Sequence, residues 1–98
     1  MKELKVLQLK KDAPDRHHKI FESYEYLEER YGEIDMDDYE VVYEGKVPNE
    51  MTDEGVYMMC NLDHPAGYKG HSLSVSDIII MDGKVKYCDS IGFREVEV

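Results

Sequence analysis

Leu4 and Val6 alternate with lysines and are followed by Leu9, a period-two pattern that predicts a first strand with one wet face. Asp12-Ala13-Pro14-Asp15 ends it. From about His18 to Tyr31 the apolar residues Ile20, Phe21, Tyr24, Leu27 and Tyr31 recur at spacings of three and four, which predicts one amphipathic helix. Gly32 suits the left-handed position that closes such a helix. Tyr39-Glu40-Val41-Val42-Tyr43-Glu44 is aromatic and β-branched and reads as a second strand, with a turn at Pro48-Asn49. Thr52 is placed to cap a second helix. Asp53 and Glu54 lie in its first turn, Val56, Met59 and Cys60 form its inner stripe, and it ends near Asn61.

Asp82-Gly83 separates Ile78-Ile79-Ile80-Met81 from Lys84-Val85-Lys86-Tyr87, a strong signal for a two-residue type I′ hairpin. That turn opposes Ile80 to Val85 and Ile78 to Tyr87 on the face assigned to the core, and Met81 to Lys84 and Ile79 to Lys86 on the other. A last strand from Phe93 to Val98 returns after Asp89-Ser90-Ile91-Gly92 and completes a C-terminal meander. The expected fold is a single α+β domain over residues 1–98. It has an antiparallel sheet of about five strands with two helices packed on it, and curling toward a small barrel is left open.

Charge narrows the functions. Twelve Lys and Arg against 22 Asp and Glu give a net charge of -10 over 98 residues, which repels phosphate backbones and forfeits the counterion release that drives nucleic-acid binding. The same charge opposes docking on an anionic membrane. No run of about 18 apolar residues and no signal-peptide core occurs, so a soluble cytoplasmic protein is expected. Cys60 and Cys88 lack close-spaced ligand partners and read as two reduced, packed thiols.

The candidate chemistry lies in two polar clusters that bracket the apolar hairpin. The first holds Asp63, His64, Tyr68, Gly70, His71, Ser72, Ser74, Ser76 and Asp77; the second holds Asp89, Ser90, Gly92 and Phe93. Ser, His and Asp are the residue types of a nucleophile, base and orienting acid, but no strained nucleophile motif surrounds them, and serines and aspartates in turns ordinarily bond backbone. Asp77 is expected to do so at the start of its strand, and His71 to position the loop. Asp63, His64 and His71 with Asp89, or with His17-His18, have metal-binding chemistry without a tight ligand spacing, so no metal and no cofactor is expected. Gly67 and Gly70 lack the following helix and Gly-Lys-Ser/Thr order of a phosphate loop.

These residues carry a resemblance. Leu7-Gln8-Leu9-Lys10, Phe21-Glu22-Ser23-Tyr24 with Leu27, Tyr39-Glu40-Val41-Val42-Tyr43, Asp63-His64-Pro65, Gly70 to Asp77, and Asp89-Ser90 with Gly92-Phe93 together resemble the YodL-like family. The resemblance covers nearly the whole chain. It implies an uncharacterised domain of the kind common in bacterial mobile elements and in long multi-domain proteins of conjugative elements and phages. It implies no reaction.

The favoured reading is a non-enzymatic protein-interaction module acting through the loop from Asp63 to Ser76, with a protein as partner. One alternative is an acidic DNA mimic of the anti-restriction type, built on Glu22, Glu25 and Glu29 of the first helix with Glu33, Asp35, Asp37 and Asp38. Less favoured is a small hydrolase using Ser, His and Asp of the same loop.

Overall fold

The computed structural model describes residues 1–62 and 64–96. Its elements are β1 (Lys2–Leu9), α1 (Arg16–Lys19), α2 (Tyr24–Tyr31), a 3-10 turn (Met36–Asp38), β2 (Tyr39–Val47), α3 (Asp53–Leu62), β3 (Ile78–Met81), β4 (Lys84–Cys88) and β5 (Phe93–Glu95). The strands form one five-stranded antiparallel sheet in the order β2-β1-β3-β4-β5. The fold is therefore α+β, and its C-terminal third is a meander. The sheet is open: β2 and β5 are its two end strands, so it does not curl into a barrel. The expected extension of the last strand through residues 97–98 lies outside the described residues.

Both faces of the sheet are covered. Leu4, Val6, Ile79 and Met81 pack with Val56 and Cys60 of α3 on one face. On the other, Leu7, Leu9, Ile78 and Tyr87 pack with Leu27 of α2 and with Tyr39. This corrects two expectations. The wet face of β1 is confined to Glu3 and Lys5, because a strand with neighbours on both sides and helices above and below has little face left for water. In the hairpin the register is as predicted, Ile78 opposite Tyr87 and Ile80 opposite Val85, and Asp82 and Gly83 both have positive φ as a type I′ turn requires. Ile79, however, is fully buried on the face expected to be wet, while Ile80 is only half-buried.

The helix expected over His18 to Tyr31 is two helices. Ile20 is extended and Phe21 turns back at φ 67°, leaving the Phe21 side chain 60% exposed and outside the apolar stripe. Ser23 then restarts the helix, its side chain accepting the Tyr26 N–H at 3.3 Å. The break is held from the sheet side. Ser76 Oγ accepts the Phe21 N–H at 3.0 Å, Tyr87 donates its hydroxyl to the Glu22 carbonyl at 2.6 Å, and Asp89 Oδ1 accepts the Tyr24 N–H at 3.2 Å. Three bonds of this kind, each contributing on the order of 1 kcal/mol, outweigh the turn of helix that is given up.

The remaining ends follow local rules. Gly32 (φ 81°) closes α2, and Thr52 Oγ1 accepts the Gly55 N–H at 3.1 Å to cap α3. β2 runs beyond the expected Glu44 to Val47. It carries an extra residue between Val6–Tyr43 and Leu7–Val41 pairings, and the Val42 carbonyl at that bulge accepts the Lys69 N–H at 2.9 Å. Lys86 of β4 pairs with Asp53 of α3 at 2.7 Å, and Lys19 of α1 pairs with Asp38 of the 3-10 turn at 2.8 Å with both side chains largely buried. Cys60 and Cys88 are buried and unbridged.

Candidate functional site

The first polar cluster is organised by a residue outside it. Gln8 lies between Leu7 and Leu9 on the α3 side of β1 and is 3% exposed, so its amide must find partners within the protein. Its Oε1 accepts the His71 N–H at 3.1 Å, while Nε2 donates to the His71 carbonyl at 2.8 Å and to Asp77 Oδ2 at 3.1 Å. Those two bonds use both amide hydrogens, so Tyr68 Oη at 3.3 Å is a weaker neighbour. Asn61 repeats the arrangement on Leu73: its Oδ1 accepts the Leu73 N–H at 2.6 Å and its Nδ2 donates to the Leu73 carbonyl at 3.2 Å. Two side-chain amides thus replace a neighbouring strand for residues 71–73. Gly70 is required by the same contact, since a Cβ there would overlap the Gln8 amide oxygen and meet Val42 Cβ at 3.0 Å.

Asp77 has the role expected of it. Its Oδ2 accepts the Ser74 N–H at 2.8 Å as well as the Gln8 amide. Burial pushes the carboxyl up to about 7, against the pull of the Ser74 amide, His71, Gln8 and Arg16 toward the charged form. Ser76 is fully buried at φ 90°. Its Oγ holds Phe21, its carbonyl accepts the Tyr39 hydroxyl at 2.7 Å, and its N–H bonds Cys88 O at 3.0 Å. Ser74 Oγ donates to Ser72 O at 3.0 Å.

The His71 ring places Nδ1 2.7 Å from Ser72 O, a contact in which Nδ1 carries the proton; Gln8 Nε2, 3.4 Å away, is then a second donor and no partner. Ser72 and His71 are exposed, and the ring meets Phe21 edge-on at 6.3 Å. His64 is exposed and stacks on Tyr68 at 4.6 Å; the Tyr68 hydroxyl donates to His71 O at 2.7 Å. Asp63 lies outside the described residues. Among those residues, no three His, Cys, Asp or Glu side chains are grouped to hold a metal ion.

The second cluster borders a cleft. Asp89 accepts the N–H groups of Tyr24 and Ser90 at its Oδ1, its own N–H bonds Gly92 O at 2.9 Å, and Gly92 takes the positive φ (69°) that turns the chain into β5. The tight turn holds Asp89, Ser90, Gly92 and the half-buried Phe93 along one wall of a cleft of about 340 Å³. Glu54, Tyr57 and Met58 of α3 form the opposite wall, with Val75 and Cys88 between. Tyr57 is 44% and Met58 56% exposed, and Ile91 at the tip of the turn is 93% exposed. Burial pushes the Cys88 thiol up to about 12 and the Cys60 thiol up to about 11.

The structure therefore separates residues that the sequence grouped. Ser76 and Asp77 are buried and hold backbone, and the half-buried Ser74 bonds the Ser72 carbonyl at the surface, whereas Asp89, Ser90, Gly92 and Phe93 frame an opening. Sequence reading missed Gln8 and Asn61, although a glutamine between two leucines of a buried strand is itself a signal. It also missed Tyr57 and Met58, whose exposure depends on how far α3 overhangs the sheet. Among the described residues no helix is long and apolar enough to cross a membrane. No curated protein and no solved structure matches the chain. The model of the YodL-like domain matches residues 3–98, and with that span and the motifs just placed, the chain belongs to the YodL-like domain family.

Proposed function

We propose that this domain is a non-enzymatic protein-recognition module, with the mobile-element setting of its family, and that its contact surface is the cleft between α3 and the turn into β5. One observation carries the reading: apolar side chains that a lone small domain would bury, Tyr57 and Met58, stand exposed at a cleft that Phe93 and Cys88 also line. The loop up to Ser76 contributes Val75 to that surface and otherwise holds it rigid.

The alternatives draw less support. A hydrolase needs an imidazole bonded to a nucleophile; the Nδ1 proton on Ser72 O leaves His71 Nε2 as the base, but Ser74 Oγ bonds Ser72 O and Ser76 Oγ holds the Phe21 N–H instead. A DNA mimic needs a long array of carboxylates, and the break at Phe21 leaves α2 eight residues, about 12 Å, with Glu22 off the helix.

The test replaces Tyr57 with the photo-crosslinking amino acid p-benzoylphenylalanine and irradiates the protein in a host lysate. A discrete adduct that persists in His71→Ala and disappears in Met58→Glu supports the cleft. An adduct that survives Met58→Glu, or no adduct with correctly folded protein, refutes it.

A further inference from the structure

The cleft adjoins a sheet edge, and the register of the last hairpin determines which backbone groups that edge presents. Asp89 N–H bonds Gly92 O at 2.9 Å and Val96 N–H bonds Val85 O at 3.0 Å, while Tyr87 pairs with Arg94. Hydrogen-bonded pairs alternate in an antiparallel ladder, so Gly92, Arg94 and Val96 direct their main-chain groups toward β4. Phe93 and Glu95 direct theirs outward. Side-chain alternation puts Phe93 and Glu95 opposite Cys88 and Lys86, on the α3 side of the sheet where the cleft opens.

We propose that β5 accepts an extended basic peptide segment of a partner protein as a sixth strand, with one of its large apolar side chains seated in the cleft. This deepens the reading above and rests on it. A strand added to β5 bonds the outward amide and carbonyl groups of Phe93 and Glu95, and every second side chain then points over Phe93 toward Tyr57 and Met58. Charge selects the partner. Glu54 and Asp89 line the cleft and Glu95 stands on the edge strand. The nearest lysine, Lys86, is held by Asp53 at 2.7 Å, and Arg94 lies on the other face over the Tyr24 ring at 4.7 Å. The site therefore favours lysine or arginine flanking the apolar anchor. A second copy of this chain is a poor occupant, because each carries a net charge of -10.

The probes are three capped nine-residue peptides: one alternating Lys and Leu, one alternating Glu and Leu, and the lysine peptide N-methylated on its backbone amides. Titrated into isotope-labelled protein, the lysine peptide is expected to shift the amide resonances of Tyr57, Met58, Phe93 and Glu95, and to slow exchange of the Phe93 and Glu95 amides at least tenfold. The glutamate and N-methylated peptides should bind at least tenfold more weakly. Glu95→Pro should lose the same tenfold, because proline there removes an outward N–H and no ladder bond. Shifts confined to the acidic surface of α2 around Glu25, Glu28 and Glu29, equal binding by the N-methylated peptide, or no binding overturns the proposal. If the crosslink at position 57 still depends on Met58 after such a result, the cleft reading stands and strand addition alone falls.

Discussion

Replacing Asp77 with Asn keeps the side-chain shape and removes its charge. Both bonds to the Asp77 carboxyl end on Oδ2, from Ser74 N–H and from the Gln8 amide, so an Asn carbonyl in that place can accept both and its NH₂ takes the position of Oδ1. What changes is the proton. The folded protein holds the Asp77 proton up to about pH 7, whereas the unfolded chain releases it near 3.8. A raised folded-state value means that this contribution to stability is complete below about pH 4, declines as pH rises, and is gone above about pH 7. Each pH unit inside that window corresponds to about 1.4 kcal/mol. Asp77 is 1% exposed, so little solvent screening reduces the effect. The stability of Asp77→Asn relative to wild type should therefore climb by roughly 2 kcal/mol between pH 5 and pH 7 and level off by pH 8. Urea unfolding followed by far-ultraviolet circular dichroism at pH 5, 6, 7 and 8 measures this, and the other carboxylates largely cancel because both proteins carry them. A difference constant to within about 0.5 kcal/mol across that range would refute the burial argument, and would mean that Ser74, His71 and Arg16 fully compensate the buried charge.

Gly70→Ala should cost about 1–3 kcal/mol in the same unfolding assay, because the added methyl overlaps Gln8 and presses on Val42. Tyr39→Phe removes the 2.7 Å bond to the buried Ser76 carbonyl and should cost about 1–2 kcal/mol. Ile79→Ala should destabilise by about 2–4 kcal/mol, with Ile80→Ala well below that; the opposite order would contradict the burial of the two side chains. Phe21→Gly should leave stability unchanged or raise it by up to about 1 kcal/mol, since a bulky residue at φ 67° is strained and its ring is mostly in water; a clear loss would identify the contact with His71 as stabilising.

Much of the framework was legible where one local signal dominated. Asp82-Gly83 specified both turn and register, Thr52 the start of α3, and Gly32 the end of α2. The reading went astray where distant residues decide. Nothing between His18 and Tyr31 announces that the helix stops at Ile20, because the bonds that hold Phe21, Glu22 and Tyr24 come from Ser76, Tyr87 and Asp89. Ile79 reads as solvent-facing until α3 is known to lie over it. In the candidate site, the turn residues Asp89, Ser90 and Gly92 stood out by composition. Their association with Tyr57 and Met58 is a product of packing, and periodicity carries no trace of it.

The central place of β1 has a consequence for how the chain acquires its structure. β1 leaves the ribosome before either of its partners, β2 on one side and β3 on the other, and Leu4 pairs with Met81, distant in the sequence. Closing so long a loop is entropically slow, so the β3–β4 hairpin is expected to form early and wait for β1. Until Met81 emerges, β1 offers one unpaired edge, the condition in which strands associate between molecules. Synthesis rate and chaperone access during that interval then govern the yield of folded protein, independently of how stable the finished sheet is.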